Sequence, residues 1–350
     1  MLSFYNRVKE IRERLIKMNE RYSRQILFDK IGEQGQEKIE KSNVTIVGMG
    51  ALGTHVAEQF ARSGVNRLNI IDRDYVESSN LQRQTLFVEK DIKEMLPKVV
   101  AAERHLKKIR EDIQIKTYIA QCDAKLLQEV ARYSDIIIDA TDNFNTRLII
   151  NDFAYKMNIP WIYGACLEST YVQATFIPGV TPCFDCVLPQ LPVINRTCDT
   201  VGVINPAVTM ATSLQVADGL KILSGFEFTP KITYGDVWYG EHQTFGFDQM
   251  RRNDCETCGD HPTYSKLSAS EQQITELCGR HTVQYINEKL NRPAIEKFIA
   301  KNGLLHRSNA YMIQYLYDDH RVVAFNNGRL LIHDIDSVEE GRQFVENMFG

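Results

Sequence analysis

The sequence has no run of basic residues and no basic tail. Its 41 Lys and Arg are outnumbered by 45 Asp and Glu, a net charge of −4. That balance argues against nucleic acid or an anionic membrane as a partner. No apolar segment approaches the ~20 residues of a membrane span, and the N-terminus lacks a signal peptide's uninterrupted apolar core. The expected compartment is therefore the cytoplasm. In that setting eight cysteines point to metal ligation or catalysis ahead of disulfides. No G-x-x-x-x-G-K-[ST] occurs, which excludes a P-loop NTPase. None of the eight histidines sits in a recognisable loop at a strand end, so a plain dehydrogenase lacks an obvious proton-transfer residue. Internal repeats and low-complexity segments are also missing.

The stretch that organises the chain is Asn43-Val-Thr-Ile-Val-Gly48-Met-Gly50-Ala-Leu-Gly53-Thr54. It reads as a buried parallel strand, a G-x-G-x-x-G turn and the start of a helix, the fingerprint of a nucleotide site. Gly48 allows the tight turn, Gly50 lets the backbone approach a phosphate, and Gly53 lets the helix pack close to its strand. Helix N-terminal N–H groups then face the phosphates. The next strand, Arg67-Leu-Asn-Ile-Ile-Asp72, ends in a carboxylate placed to accept from a ribose hydroxyl. The bland alternative is a glycine turn that only packs a helix on a sheet.

At 350 residues the chain can form one large domain and a smaller one. Residues 1–20 have apolar positions at Phe4, Val8, Ile11, Leu15 and Met18, an amphipathic helix suited to packing on the body or a second subunit. The unit 21–262 alternates strands and helices. Strands are predicted over 44–47, 67–72, 115–119, 135–139 and 161–163, and helices over 99–108, 124–133 and 145–157. This is a Rossmann-like α/β fold, a doubly wound, mostly parallel sheet. Strand-like segments over 171–177 and 231–239 suggest antiparallel additions, with a helix over 207–223 between them. Residues 263–350 lose the glycine-rich turns and read as a small C-terminal α/β module. Its strands fall over 311–317, 322–325 and 329–335, with a hairpin through Asn326-Asn327-Gly328 and a closing helix over 338–348.

Cys183-Phe-Asp-Cys186 and Cys255-Glu-Thr-Cys258 are two C-x-x-C knuckles. Four thiolates in two such pairs suit tetrahedral Zn2+ in a structural site, because four sulfurs leave no open position for water. Arg24, Arg83 and Lys98, with Asn80 and Gln82 as neutral donors, surround a mononucleotide-sized pocket. Lys98 follows Pro97 at a helix start, an unusual place for a cation unless it meets an anion. Asp142 in Thr141-Asp142-Asn143, again at a strand's carboxyl end, is placed to hold Mg2+. The set fits attack on the α-phosphate of ATP with pyrophosphate leaving.

Arg21-Tyr-Ser-Arg24-Gln25, the glycine turn, Ser79-Asn80-Leu81-Gln82-Arg83-Gln84, Pro97-Lys98, Thr141-Asp142-Asn143 and the paired knuckles together resemble the MoeB/ThiF adenylyltransferases, bacterial relatives of ubiquitin-activating enzymes. The resemblance spans roughly residues 18–262 in unbroken motif order. It implies adenylation of the C-terminal glycine of a ubiquitin-like sulfur-carrier protein by a homodimer using ATP and Mg2+. A separate sulfur donor, a sulfurtransferase or cysteine desulfurase, would then make the thiocarboxylate. Carried over, Asp72 binds ribose, Gly48 and Gly50 lie under the nucleotide, Asn80, Arg83 and Lys98 handle phosphates, and Asp142 holds magnesium. Arg24 reaches into the partner subunit's site. Ser79, Leu81, Gln82 and Asn143 belong to the same nucleotide-binding loops. Cys198, flanked by Arg196, matches a loop cysteine that some members link covalently to the carrier. The expected carrier is the molybdopterin-synthase small subunit (MoaD), in molybdenum cofactor biosynthesis, with the thiamine-pathway carrier (ThiS) as the alternative. A zinc-stabilised NAD-dependent oxidoreductase and a non-catalytic scaffold are the competing classes. Cys278 reads as a packed thiol, and residues 263–350 lie outside the shared core of the family.

Overall fold

Asn43-Val-Thr-Ile-Val forms β1 (Asn43–Val47) in the middle of an eight-stranded sheet. Its near-continuous burial is what a parallel strand covered on both faces requires. The computed structural model describes residues 20–190, 201–268, 274–277, 281–335 and 337–349. All of the expected helix at 1–20 but Glu20, the Arg196 and Cys198 loop, and Cys278 lie outside them.

On either side of β1, in parallel, run β2 (Arg67–Asp72) and β4 (Ile136–Asp139). The outer parallel strands are β3 (Gln114–Ile119), beside β2, and β5 (Trp161–Leu167), beside β4. Three antiparallel strands follow: β6 (Thr170–Phe176), β7 (Ile232–Asp236) and β8 (Glu241–Phe245). The order β3-β2-β1-β4-β5-β6-β7-β8 is the doubly wound pattern with antiparallel additions. Alternate side chains feed two cores. Val44 and Ile46 pack with Phe60, Leu106 and Val208 from the helices Ala51–Ser63, Lys98–Ile109 and Asn205–Ser224. Val47 and Ile137 pack on the opposite face with Trp161 and with Phe153 of the helix Phe144–Met157.

Three element ends differ from expectation by more than two residues, and the first is β5, expected over 161–163, which runs on to Leu167. The strand expected over 231–239 stops at Asp236, because its Oδ1 accepts the Trp238 N–H at 2.8 Å and turns the chain. The chain returns as β8, whose five residues are all exposed, so no alternation announced it. The helix expected over 124–133 ends at Val130.

Beyond residue 263 lies a six-stranded sheet in which every pairing is antiparallel. Its strands are β9 (Ile274–Leu277), β10 (Thr282–Ile286), β11 (His306–Ser308), β12 (Met312–Tyr317), β13 (His320–Phe325) and β14 (Arg329–His333), in the order β11-β12-β13-β14-β10-β9. The runs Val322-Val323-Ala324-Phe325 and Leu330-Leu331-Ile332 are apolar at every position, as a sheet buried on both faces demands. Val322, Ala324, Leu330 and Ile332 face Ile295, Ile299, Phe344 and Val345 of the helices Arg292–Asn302 and Val338–Phe349. Met312, Val323, Phe325 and Leu331 face Tyr75 and Met95 of the larger body.

Candidate active site

In the order 3-2-1-4-5, adjacent strands β1 and β4 mark the point where the chain reverses direction across the sheet, and ligands of such sheets bind outside those strand ends. The glycine turn after β1 and Thr141-Asp142-Asn143 after β4 meet there. Gly48 has φ +94°, and a Cβ on it would sit 2.4 Å from the Ala140 carbonyl oxygen, so only glycine fits. A Cβ on Gly53 would lie 2.0 Å from the Gly48 oxygen, which keeps the helix Ala51–Ser63 close against its strand. Gly50 is different. A Cβ there would meet only Gln84 Nε2, at 3.8 Å. Its open face is where a phosphate can approach backbone.

Asp72, at the end of β2, ties this corner together. Its carboxylate accepts the Met49 N–H at 2.6 Å and the Asp74 N–H at 2.7 Å. Burial pushes its pKa up, with Lys98 opposing that shift. Lys98 is the first residue of its helix, only 3% exposed, and its Nζ lies 3.3 Å from Asp74 Oδ2. The sequence singled out Lys98 but not Asp74, whose position two residues past a strand carries no motif. The buried cation therefore has an internal counter-ion, and a phosphate would share Lys98 with Asp74.

The loop after β2 bends into the short helical turn Ser78–Asn80. Asn80 is buried, and its Oδ1 accepts the Glu77 N–H at 3.0 Å, so this side chain also shapes the loop. Arg83 donates to the Ser79 carbonyl at 2.9 Å, and Gln82 reaches the Val203 carbonyl at 3.4 Å. Ser79 is exposed and Leu81 half-buried. Asp142 is exposed, while Asn143 caps the helix Phe144–Met157 by accepting the Thr146 N–H at 2.9 Å. Beneath that turn lies Arg147, which the sequence reading missed. It donates to Asp139 Oδ2 at 3.0 Å and to the Thr141 carbonyl at 2.6 Å. Burial pushes the Asp139 carboxyl up and Arg147 opposes it. The only sequence signal was an arginine one helical turn past a strand-end Asn, which reads as a solvated charge.

Arg24 is not brought to this edge. It is exposed in the short helix Ser23–Ile26, whose Gln25 donates to the Ser63 carbonyl at 2.9 Å. Ser63 ends the helix that Gly50 begins, about 20 Å away at 1.5 Å per residue. Within one chain, Arg24 stands at the opposite end of that helix from the glycine turn.

Cys183, Cys186, Cys255 and Cys258 converge from segments after β6 and β8, their sulfurs all within 4.8 Å of one another. Cys183 and Cys255 sulfurs are 3.5 Å apart, and Cys186 and Cys258 sulfurs 3.6 Å. Tetrahedral zinc with Zn–S near 2.3 Å needs sulfurs about 3.8 Å apart, so donor type and spacing both fit. The N–H groups of Arg252 and Thr257 point at Cys186 and Cys255 sulfurs, each at 3.4 Å, which suits thiolates. All four thiols are free of disulfides.

A doubly wound sheet with a glycine turn at its reversal point and a four-cysteine cluster is the architecture of an adenylyltransferase of the ubiquitin-activating type. The chain belongs to the ThiF family, whose model matches residues 22–258. It is 40% identical over 338 residues to the sulfur carrier protein ThiS adenylyltransferase of Bacillus subtilis, a match covering 95% of this chain and all of that protein. It is 30% identical to the sulfur carrier protein adenylyltransferase of Thermus thermophilus, over 71% of this chain and 93% of that one. Among solved structures, E. coli MccB with MccA-N7isoASN superposes with a TM-score of 0.61 at 25% identity, covering 69% of this chain and 75% of that one. Family membership decides against the oxidoreductase reading, and the relatives named as adenylyltransferases favour an enzyme over a scaffold. The Bacillus match runs through the six-stranded sheet, which is therefore shared with a relative and not peculiar to this chain. Among the described residues no helix is long and apolar enough to cross a membrane.

Proposed function

We propose that this protein adenylates the C-terminal glycine of a ThiS-like sulfur carrier, the thiamine-pathway alternative, ahead of the MoaD-like carrier first expected. The observation that carries this choice is the match along the whole length of the Bacillus ThiS adenylyltransferase. The carrier's terminal carboxylate attacks the α-phosphorus of ATP, the bond to the β-phosphate oxygen breaks, and pyrophosphate leaves. The product is a mixed acyl-phosphate anhydride, and the nucleophile needs no protein base.

In this reading Asp72 accepts from the ribose and the open face of Gly50 takes the phosphates. Arg83 and Lys98 stabilise the charge that spreads over the transferring group. Asp142 would hold Mg2+, which neutralises the departing pyrophosphate when bound. The four cysteines would hold Zn2+ as a structural ion. Because Arg24 lies at the far end of the helix Ala51–Ser63, a second copy of the chain is needed to bring it to a nucleotide, which supports a homodimer. Cys198 would be the residue for a covalent link to the carrier, and Val203, five residues further on, takes the Gln82 side chain on its carbonyl. A separate sulfurtransferase or cysteine desulfurase would supply sulfur. The unit 21–262 would hold this chemistry, and 263–350 would support it.

The test is ATP–pyrophosphate exchange with each purified carrier. Exchange with the ThiS-like carrier at least tenfold faster than with the MoaD-like one is expected. Exchange with neither sinks the assignment, and preference for the second reverses the choice of carrier.

A further inference from the structure

The face that β13 and β14 turn toward the body alternates with the strand period of two. It presents Arg321, Val323 and Phe325 on one strand and Arg329, Leu331 and His333 on the other. The three apolar residues pack against Tyr75 and Met95. The polar ones grip the loop that carries the nucleotide residues. Arg321 meets Glu77 at 3.0 Å, and His333 Nε2 lies 3.2 Å from the Tyr75 hydroxyl. Arg329 reaches deepest. It is 2% exposed, its guanidinium stacks 3.7 Å over the Phe325 ring, and its Nη2 donates to the Arg73 carbonyl. Its Nε and Nη1 have no hydrogen-bond partner among the described residues.

A buried guanidinium with two unpaired donor nitrogens is an expensive way to fill space. Burial pulls its pKa down to about 9, with Asp74 and Asp72 opposing and Arg73 adding to the shift. It thus remains cationic at neutral pH, set against the two carboxylates that flank the carbonyl it holds. One of these accepts from the glycine turn and the other pairs with Lys98. A methionine would fill the same volume without that field.

We propose that Arg329 is a positioning residue for the nucleotide site, fixing the Arg73 carbonyl so that Asp72 faces the ribose and Asp74 holds Lys98 at the phosphates. The six-stranded sheet then acts as a buttress behind the ATP loop. This rests on the nucleotide reading above, and the experiment separates the two.

ATP–pyrophosphate exchange is measured on the full-length protein with the ThiS-like carrier saturating, and KM for ATP and for carrier are compared. Arg329→Met should raise KM for ATP about tenfold and leave KM for carrier unchanged. Arg329→Lys, which keeps the charge and loses the fork, should raise it about threefold. Asn309→Ala loosens the same seam elsewhere, where Asn309 donates to the Glu94 and Met95 carbonyls at 2.8 Å, and should leave KM for ATP within about twofold. An unchanged KM in Arg329→Met, or an equal rise in Asn309→Ala, overturns the proposal. If Arg329→Met does not fold, the contrast between Arg329→Lys and Asn309→Ala decides. Asp72→Asn is the reference. No effect there defeats the nucleotide reading and the buttress with it, whereas an effect there but none at Arg329 defeats the buttress alone.

Discussion

The eight-stranded sheet gathers its candidate groups at strand ends, and the six-stranded sheet presents its buried polar groups on a face. β1, β2 and β4 finish in turns built from glycine, carboxylates and amides, because an open parallel sheet offers its carboxyl edge to ligands. The smaller sheet is antiparallel, and β12, β13 and β14 follow one another through short turns. Arg321, Arg329 and His333 instead project from β13 and β14 into a seam with the body. A site of the first kind leaves a spacing motif in the sequence. One of the second kind leaves only charged residues at alternate positions in an apolar strand.

The sharpest way to break this contrast is to remove a strand-end group. Asp142→Ala should reduce ATP–pyrophosphate exchange by about a hundredfold or more, the usual consequence of losing one charge-stabilising group at a transferring phosphoryl. The melting temperature should hardly move, since Asp142 is exposed. Full exchange activity in that variant would leave the reversal point of the sheet without its assigned metal carboxylate.

Next in size is the four-cysteine staple, which belongs to the body yet should act only on stability. Cys255→Ser, or prolonged chelation, should remove bound zinc and lower stability by several kcal/mol, about 2–4 °C in melting temperature for each 1 kcal/mol. Below the new melting temperature, exchange per folded molecule should stay near wild type. Elemental analysis of the purified protein checks the metal directly, and less than half an equivalent of zinc would contradict the assignment.

The glycine turn, Asp72 and the cysteine pairs were legible because each depends on residue type at a fixed spacing. A Cβ on Gly48 or Gly53 collides with backbone, and four sulfurs can close on one ion. Lys98 was legible as a misplaced cation at a helix start, but its counter-ion Asp74 was not, since the pairing is made in space. Arg147 and Arg329 were invisible for the same reason. An arginine on a helix or at a strand start reads as surface until the fold shows what covers it. Asn80 and Asn143 were read only as ligand contacts, and the caps that both also make to their own backbone carried no separate signal. β8 escaped because all its residues are exposed and no period is present.

Within the seam, packing and charge can be separated. Leu331 is 2% exposed and lies between Arg329 and His333 on the face toward Tyr75 and Met95. Leu331→Ala should cost about 2–4 kcal/mol by chemical denaturation. KM for ATP should stay within about twofold of wild type, unlike Arg329→Met. Parallel loss of both would mean that the seam transmits packing and not a specific contact.

The smallest effect concerns His333, and it distinguishes the seam from the strand-end site by pH. Burial and the neighbouring Arg321 hold its pKa down near 4, with Glu77, Asp334 and Asp74 opposing. The Tyr75 hydroxyl lies 3.2 Å from Nε2, and the Thr282 hydroxyl and an Arg321 N–H each lie 3.1 Å from Nδ1. The imidazole is therefore neutral in the folded protein, while in the unfolded chain it titrates near 6.5. Between those values the unfolded state binds more protons, so stability is full above pH 6.5 and falls as pH drops toward 4. The loss should be on the order of 3 kcal/mol at most. His333→Gln keeps a polar group at the seam without that titration, and it should flatten the slope of unfolding free energy against pH over this window. An unchanged slope would mean that a different group at the seam takes up the proton.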